Sequence, residues 1–144
     1  VFFAGRNRVV FFPHALEMLQ NLSARYPIYA LTNGNADTER TGISQYLQGA
    51  ISSAQVGASK PDPRMFQTAL DQAGVKAHQC VHIGDHLDDD IKGATAVGMH
   101  SIWVNLHKTQ EVEKALTPSF EVNHLSEIVS AVASIEGALS ESLK

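Results

Sequence analysis

Four aspartates crowd into six residues, Asp85 to Asp90, directly behind a short apolar run that ends in glycine. The run is Cys80-Val81-His82-Ile83, then Gly84, and the whole stretch continues through His86-Leu87-Asp88-Asp89-Asp90-Ile91-Lys92-Gly93-Ala94. An apolar run of this length bounded by glycine is the mark of a buried parallel strand. Gly84 is expected to let the chain turn at its end. Like charges at this density repel one another, and a divalent cation relieves the repulsion. Hard oxygen ligands at a strand end suit Mg²⁺. The plainer reading is a solvated loop whose aspartates cap the following helix, with His86 a solvated turn residue. The stretch alone supports either.

The rest of the composition narrows the field. A chain of 144 residues fits one domain with a real core, and its 44% apolar content is ordinary. A formal net charge of −4 gives no reason to expect nucleic acid or a membrane surface as a partner. No apolar run approaches the ~18 residues of a membrane span, and the N-terminus lacks the layout of a signal peptide. The single cysteine, Cys80, reads as a core thiol in a reducing compartment, the cytoplasm. The chain starts at Val1 in mid-pattern and reads as a fragment. Residues 1–13 hold four phenylalanines around Gly5-Arg6-Asn7-Arg8. They read as the tail of an upstream element, or as an arm lying across the core.

From His14 to Arg25, Leu16, Met18, Leu19 and Leu22 recur at helical spacing, and Pro27 ends the helix. Ile28 to Leu31 is a short buried strand closed by Thr32-Asn33-Gly34-Asn35, a turn that offers polar groups and close backbone approach. Ala36 to Leu47 reads as a helix with Ile43 and Leu47 inward, and Ala50 to Ala54 as a third strand. Asp62 is an expected N-cap with Pro63 at the first helical position. That helix carries Met65, Phe66, Ala69 and Leu70 inward and stops at Gly74. Ile91 to Val97 is a helix ended by Gly98, His100 to Asn105 a strand, and Leu106 to Pro118 a loop with a short helix. Phe120 to Val122 reads as an edge strand. Leu125, Ile128, Val129, Val132 and Ile135 form a helical stripe capped by Asn123. The domain layout is then a core at 14–136, with 137–144 frayed.

Alternating strands and helices predict an α/β fold, a Rossmann-like doubly wound parallel sheet with helices on both faces. Ligands in such sheets bind beyond the carboxyl ends of the strands. Thr32-Asn33, the loop carrying Lys60, and Asp85 to Asp90 all fall on that rim. Metal acceptors, anion donors and one cation together are the parts that hold a phosphate and stabilise its transfer.

Leu31-Thr32-Asn33-Gly34, Ser59-Lys60-Pro61 and Gly84-Asp85 with Asp90 resemble, in order, motifs two, three and four of the haloacid dehalogenase-like hydrolases. The resemblance runs from about Pro13 to Val132. It implies that Thr32 hydrogen-bonds the transferring phosphoryl group and that Asn33 helps through its backbone N–H. It implies that Lys60 neutralises nucleophile and phosphate, that Asp85 binds Mg²⁺, and that Asp90 orients the site from behind without binding the ion. Asp88 and Asp89 match no required position. It further implies a Lys60–Pro61 bond in the cis form, which only ~5% of X-Pro bonds adopt.

One motif does not match. The family's first motif is Asp-x-Asp on the central strand, whose first aspartate attacks phosphorus. The aspartates here stand at 37, 62, 71, 85, 88, 89 and 90, and only Asp88 and Asp90 have that spacing, behind the turn. The nucleophile, the first strand and a cap are therefore expected upstream of Val1. The stretch from Asn33 to Lys60 has room for one helix and one strand but no second cap. The branch capped after motif one is implied, chiefly phosphatases of small metabolites. Leu-Thr-Asn-Gly-Asn with Ser-Lys-Pro is similar to phosphatases of flavin-pathway sugar phosphates and nucleotides.

The resemblance thus implies a Mg²⁺-dependent hydrolase of small phosphate monoesters working through an aspartyl-phosphate, inactive as this chain alone. The alternative is a catalytically inactive module of the same fold that binds phosphate or a protein. A response-regulator-like α/β domain ranks behind both. The missing strand would lie between Ile28–Leu31 and Cys80–Ile83, leaving those two unpaired at about twice the 4.8 Å strand spacing. Exposed edges of that kind make the isolated chain unstable, unless Val9 to Phe12 or another strand fills the space.

Overall fold

A computed structural model describes residues 15–33, 44–108 and 118–142. Five short strands follow one another as β1 (Tyr29–Thr32), β2 (Gly49–Ser52), β3 (Val81–Gly84), β4 (His100–Val104) and β5 (Phe120–Val122). Every pairing among them is parallel. β1 pairs β2 from Tyr29–Gly49 to Thr32–Ser52, β3 pairs β4 from Val81–His100 to Gly84–Trp103, and β4 pairs β5 from Ile102–Phe120. Parallel pairing requires crossovers, and helices supply them.

The helices are α1 (Ala15–Ser23), α2 (Ser53–Val56), α3 (Pro63–Ala73), α4 (Gly93–Ala96) and α5 (Ile128–Ser142). Side chains alternate across a strand with period two, and β3 displays this directly. Val81 and Ile83 pack with Ile102, Val104 and Val122 against α1 and α5, through Met18, Leu19, Leu22, Ile128 and Val132. Cys80, one residue out of phase, packs on the opposite face, against the cluster formed by Leu31, Ile51, Met65, Phe66, Leu70 and Met99. Apolar residues on both faces need helices on both faces, so the fold is the doubly wound arrangement the sequence predicts.

The helix boundaries follow local chemistry. Asp62 caps α3 by accepting the Arg64 N–H at 2.9 Å, Pro63 is its first residue, and Gly74 ends it in the left-handed conformation at φ 68°. Met65, Phe66, Ala69 and Leu70 are buried, as expected.

Several elements differ from expectation. The third strand stops at Ser52, because Ser52 and Gln55 form a capping box that turns Ser53 to Val56 into a helical turn. Leu16 is exposed where helical spacing put it inward. Asn123 is not the final helix's cap; His124 caps the 3₁₀ turn Leu125–Glu127 that leads into α5, while Asn123 donates from Nδ2 to the Asn105 carbonyl at 2.9 Å. α5 continues past Gly137 to Ser142, with Leu139 packed on the core. The expected helix at Ala36 to Leu47 falls mostly on residues 34–43, outside the described residues, as do residues 1–13 and the loop at 109–117.

Among the described residues the strands form two sheets, β1–β2 and β3–β4–β5, and β1 does not pair with β3. Val9 to Phe12 lies outside the described residues. The two sheets meet through side chains at their carboxyl ends, where the candidate site is built.

Candidate active site at the carboxyl ends of the strands

Three chain segments converge there. The first is the end of β1. Thr32 is its last residue, half-buried beside Ser52, and Asn33 follows. The sequence reading assigned Asn33 a role through its backbone; the structure shows its side chain engaged. Oδ1 accepts the Lys60 backbone N–H at 2.7 Å and Nδ2 donates to the Lys60 carbonyl at 3.1 Å. Asn33 thereby pairs with Lys60 as a neighbouring strand would, using both backbone groups. The same Nδ2 reaches toward Asp89 Oδ2 at 3.4 Å.

The second segment is the loop before α3. The Lys60–Pro61 bond is cis, as expected. With its backbone held by Asn33, Lys60 turns its side chain inward, where it is 12% exposed, and donates from Nζ to Oδ1 of Asp90 at 2.7 Å.

The third segment follows β3. Here the chain forms a wide π turn, Leu87–Lys92, that runs into α4; the Ile91 N–H bonds the His86 carbonyl at 3.3 Å. Turns of this kind recur at functional sites. Its cap is not an aspartate but His86, whose Nδ1 accepts the Asp89 N–H at 3.1 Å. Asp88 points into solvent. Asp90 turns inward and is 4% exposed. Its Oδ2 accepts the His86 N–H at 3.1 Å, and its Oδ1 accepts both Lys60 Nζ and His82 Nε2, the latter at 2.8 Å. Burial pushes the Asp90 carboxyl up, but the hydrogen bonds from His82 and Lys60 and the ammonium charge outweigh it, so it sits well below the usual carboxylate range.

Gly84 does not serve as a left-handed turn; among the described residues only Gly57, Gly74 and Gly98 among the glycines have positive φ. Its role is close approach. A Cβ on Gly84 would lie 2.2 Å from Cγ of Asp90, so the carboxyl rests on the bare Cα.

Asp85 is exposed at the end of β3, and its carbonyl accepts the indole N–H of buried Trp103 at 3.1 Å. Trp103→Phe removes this bond and also part of the buried ring's volume. It should cost more than the ~1 kcal/mol of the bond alone, readable as a lower urea midpoint at unchanged m-value; an unchanged midpoint would show that neither the bond nor the packing holds the strand end.

Sequence reasoning missed His82. It sits in an apolar run and reads as one more strand residue. The available signal was its phase: it alternates with Val81 and Ile83, so it faces the side on which Asp90 and Phe66 lie. Among the described residues no buried side-chain nitrogen or oxygen lacks a partner. No three His, Cys, Asp or Glu side chains there stand together as a complete metal cage. Asp90 is fully engaged by its donors. Asp85 is exposed just beyond β3, and one such carboxylate fits the habit of Mg²⁺ to take one or two carboxylates and complete its shell with water and phosphate oxygens.

Comparison with known proteins places these segments in a wider group. The family described as haloacid dehalogenase-like hydrolases, a class of hydrolase, matches residues 1–98. A phosphoserine phosphatase of Thermus thermophilus is 32% identical over 92% of this chain and 55% of its own length. The 5-amino-6-(5-phospho-D-ribitylamino)uracil phosphatase of Escherichia coli is 30% identical over 81% of this chain and 50% of its own. Among solved structures, a 2-haloacid dehalogenase from Pseudomonas syringae superposes with a TM-score of 0.85 at 36% identity, covering 89% of this chain and 55% of that one. The chain spans about half the length of the curated relatives it matches.

Proposed function

The chain belongs to the haloacid dehalogenase-like hydrolase family, and we propose that it carries the phosphate-handling half of a Mg²⁺-dependent phosphatase of small phosphorylated metabolites. The observation that supports this most is the convergence of Asn33, Lys60 and Asp90, from three separate segments, into one hydrogen-bonded set on the strand-end rim. A half-buried lysine held by a carboxylate can offset the charge of a phosphoryl group bound at the rim.

In this reading the phosphoryl group leaves the ester oxygen for a carboxylate and is then released to water, so that one hard displacement becomes two easier ones. The attacking aspartate is proposed to come from outside residues 1–144, since no Asp-x-Asp ends an apolar strand here. Lys60 neutralises the transferring group and the attacking carboxylate. Thr32 donates its hydroxyl to a phosphoryl oxygen. Asn33 keeps the Lys60 loop at fixed height, and Asp90 keeps the ammonium from swinging away. Bound Mg²⁺, held by Asp85, would supply further charge neutralisation at the phosphoryl oxygens. One Escherichia coli relative is named a 5-amino-6-(5-phospho-D-ribitylamino)uracil phosphatase and another a pyrimidine 5'-nucleotidase, which supports a phosphorylated sugar derivative or a nucleotide as the proposed substrate class.

The test is phosphate release by the full-length protein from a panel of sugar phosphates and nucleotides, with and without Mg²⁺. Asp85→Asn should lower metal-dependent turnover roughly 100-fold or more, the size of losing one strong electrostatic contact. Undiminished turnover in that variant would overturn the assignment. Phosphate binding without turnover of any ester would favour the inactive module. Chloride release from 2-chloropropionate would favour the chemistry named for the Pseudomonas neighbour.

A further inference from the structure

We propose that His82 is the positioning residue of the Lys60–Asp90 pair: by donating from Nε2 to Oδ1 of Asp90 it fixes the oxygen that aims the Lys60 ammonium at the rim. The inference rests on the phosphatase reading for its consequence, but the contact itself stands on geometry.

The Lys60 stem is long and flexible, so its ammonium can follow a carboxylate that shifts; a donor fixed on the strand gives Oδ1 a set position. Asp90 has such a donor. The His86 N–H holds Oδ2, and Lys60 and His82 share Oδ1 at 2.7 and 2.8 Å. His82 is itself immobile. Its side chain is 11% exposed, and its ring meets Phe66 edge-on, with centroids 5.1 Å apart and planes at 82°. Phe66 is fully buried and lies over Gly93, where an added Cβ would fall 2.5 Å from the ring. The core of α3 therefore sets the angle of the imidazole, the imidazole sets Asp90, and Asp90 sets Lys60. Position is transmitted from the packed interior to the rim.

Charge explains why a histidine serves here. Asp90 and Lys60 already balance. A second fixed cation would repel the ammonium, and an apolar residue would leave Oδ1 to Lys60 alone. A neutral imidazole donates without adding charge, and burial pushes the His82 pKa down, against the pull of Asp90. With Asp90 ionised, the Nε2–H tautomer is the one that fits.

Two variants of the full-length protein separate positioning from packing. His82→Phe fills the space without a donor, while His82→Gln places an amide N–H near the position of Nε2. On p-nitrophenyl phosphate with Mg²⁺, His82→Phe should lower kcat roughly 10-fold to 100-fold, as misplacing a catalytic group does, with KM little changed. His82→Gln should recover most of that loss. Equal kcat in wild type and His82→Phe, or equal losses in both variants, would overturn the proposal. A second readout needs neither substrate nor metal. Imidazole ¹⁵N spectra of the resting protein should show His82 as the neutral Nε2–H tautomer, with its signal moved by Asp90→Asn. An Nδ1–H tautomer, an imidazolium at neutral pH, or a signal indifferent to Asp90→Asn would overturn it. If wild type hydrolyses no phosphate ester, the phosphatase reading fails, and the spectra alone decide for or against the His82 contact.

Discussion

Asp90→Ala should remove about 3–5 kcal/mol of folding stability, the typical cost of breaking a buried ion pair by deleting one partner. The reason is what remains. Lys60 is 12% exposed and its backbone is tied to Asn33, so its ammonium cannot swing freely into water when the carboxylate goes. His82 loses the acceptor for Nε2, and the His86 N–H loses its partner. A loss of this size is a large share of the ~5–15 kcal/mol that holds a typical domain together. Urea melts of the full-length protein would measure it, and a midpoint shift worth under 1 kcal/mol would show that the network is not a stabilising hub. Turnover should fall in the same variant, because Lys60 is no longer aimed.

The same network sets the direction of the acid response. Asp90 is held below the ordinary carboxylate value and His82 below the ordinary histidine value. In both cases the unfolded chain binds the proton more readily, so stability falls as pH falls. His82 contributes stability that is complete above about pH 6.5 and declines beneath it. Asp90 contributes stability that is present above about pH 4 and is lost below that as its carboxylate is finally protonated. Wild type should therefore lose stability in two stages on acidification, and Asp90→Ala should lack the lower one.

Much of the architecture was legible because single residues with strong local chemistry declared it. Asp62 before Pro63, Gly74 behind Leu70, and short apolar runs between helical stripes each admit few structures. The convergence of Asn33, Lys60 and Asp90 was legible, since the topology carries every strand end to one side. What escaped the sequence was orientation within the site. Nothing in the letters says that Asn33 would grip the Lys60 backbone with its side chain. Nor do they say that the cap of the acidic turn would be His86, or that the turn would be wide enough to bring Asp90 inward while Asp88 faces water. His82 was hidden by its apolar neighbours. Asn123 looked like a cap because it precedes a helical stripe, yet Asn105 offered its carbonyl and His124 was one residue closer to the turn. In each case a tertiary partner, remote in sequence, decided between local options of similar energy.

Gly84→Ala should be nearly as damaging as the loss of Asp90, although it adds one methyl group to a strand. The new Cβ would stand 2.2 Å from Cγ of Asp90 and 2.4 Å from its Cβ and Oδ2. Nothing soft is available to yield. Asp90 is held at both oxygens, and Gly84 is locked opposite Trp103 in the β3–β4 pairing. If the strand shifts, the cost is that of overpacking, about 1–3 kcal/mol; if Asp90 is expelled, it approaches the cost of a broken buried pair. The chain takes the cheaper route, so about 3 kcal/mol is the expected loss, with a fall in turnover because either route moves the carboxylate that aims Lys60. Coupling distinguishes this from general damage to the strand. In an Asp90→Gly background the clashing atoms are gone, so adding Gly84→Ala should cost little further; full additivity would mean that the methyl group collides with something else. Gly137→Ala supplies the opposite control. It lies in α5 with nothing within 4 Å of an added Cβ, and should raise stability by about 0.5–1 kcal/mol through helix propensity alone. A Gly84→Ala protein melting within 1 kcal/mol of wild type would mean that Asp90 does not rest against the strand, and that the line from Phe66 through His82 to Lys60 is not rigid.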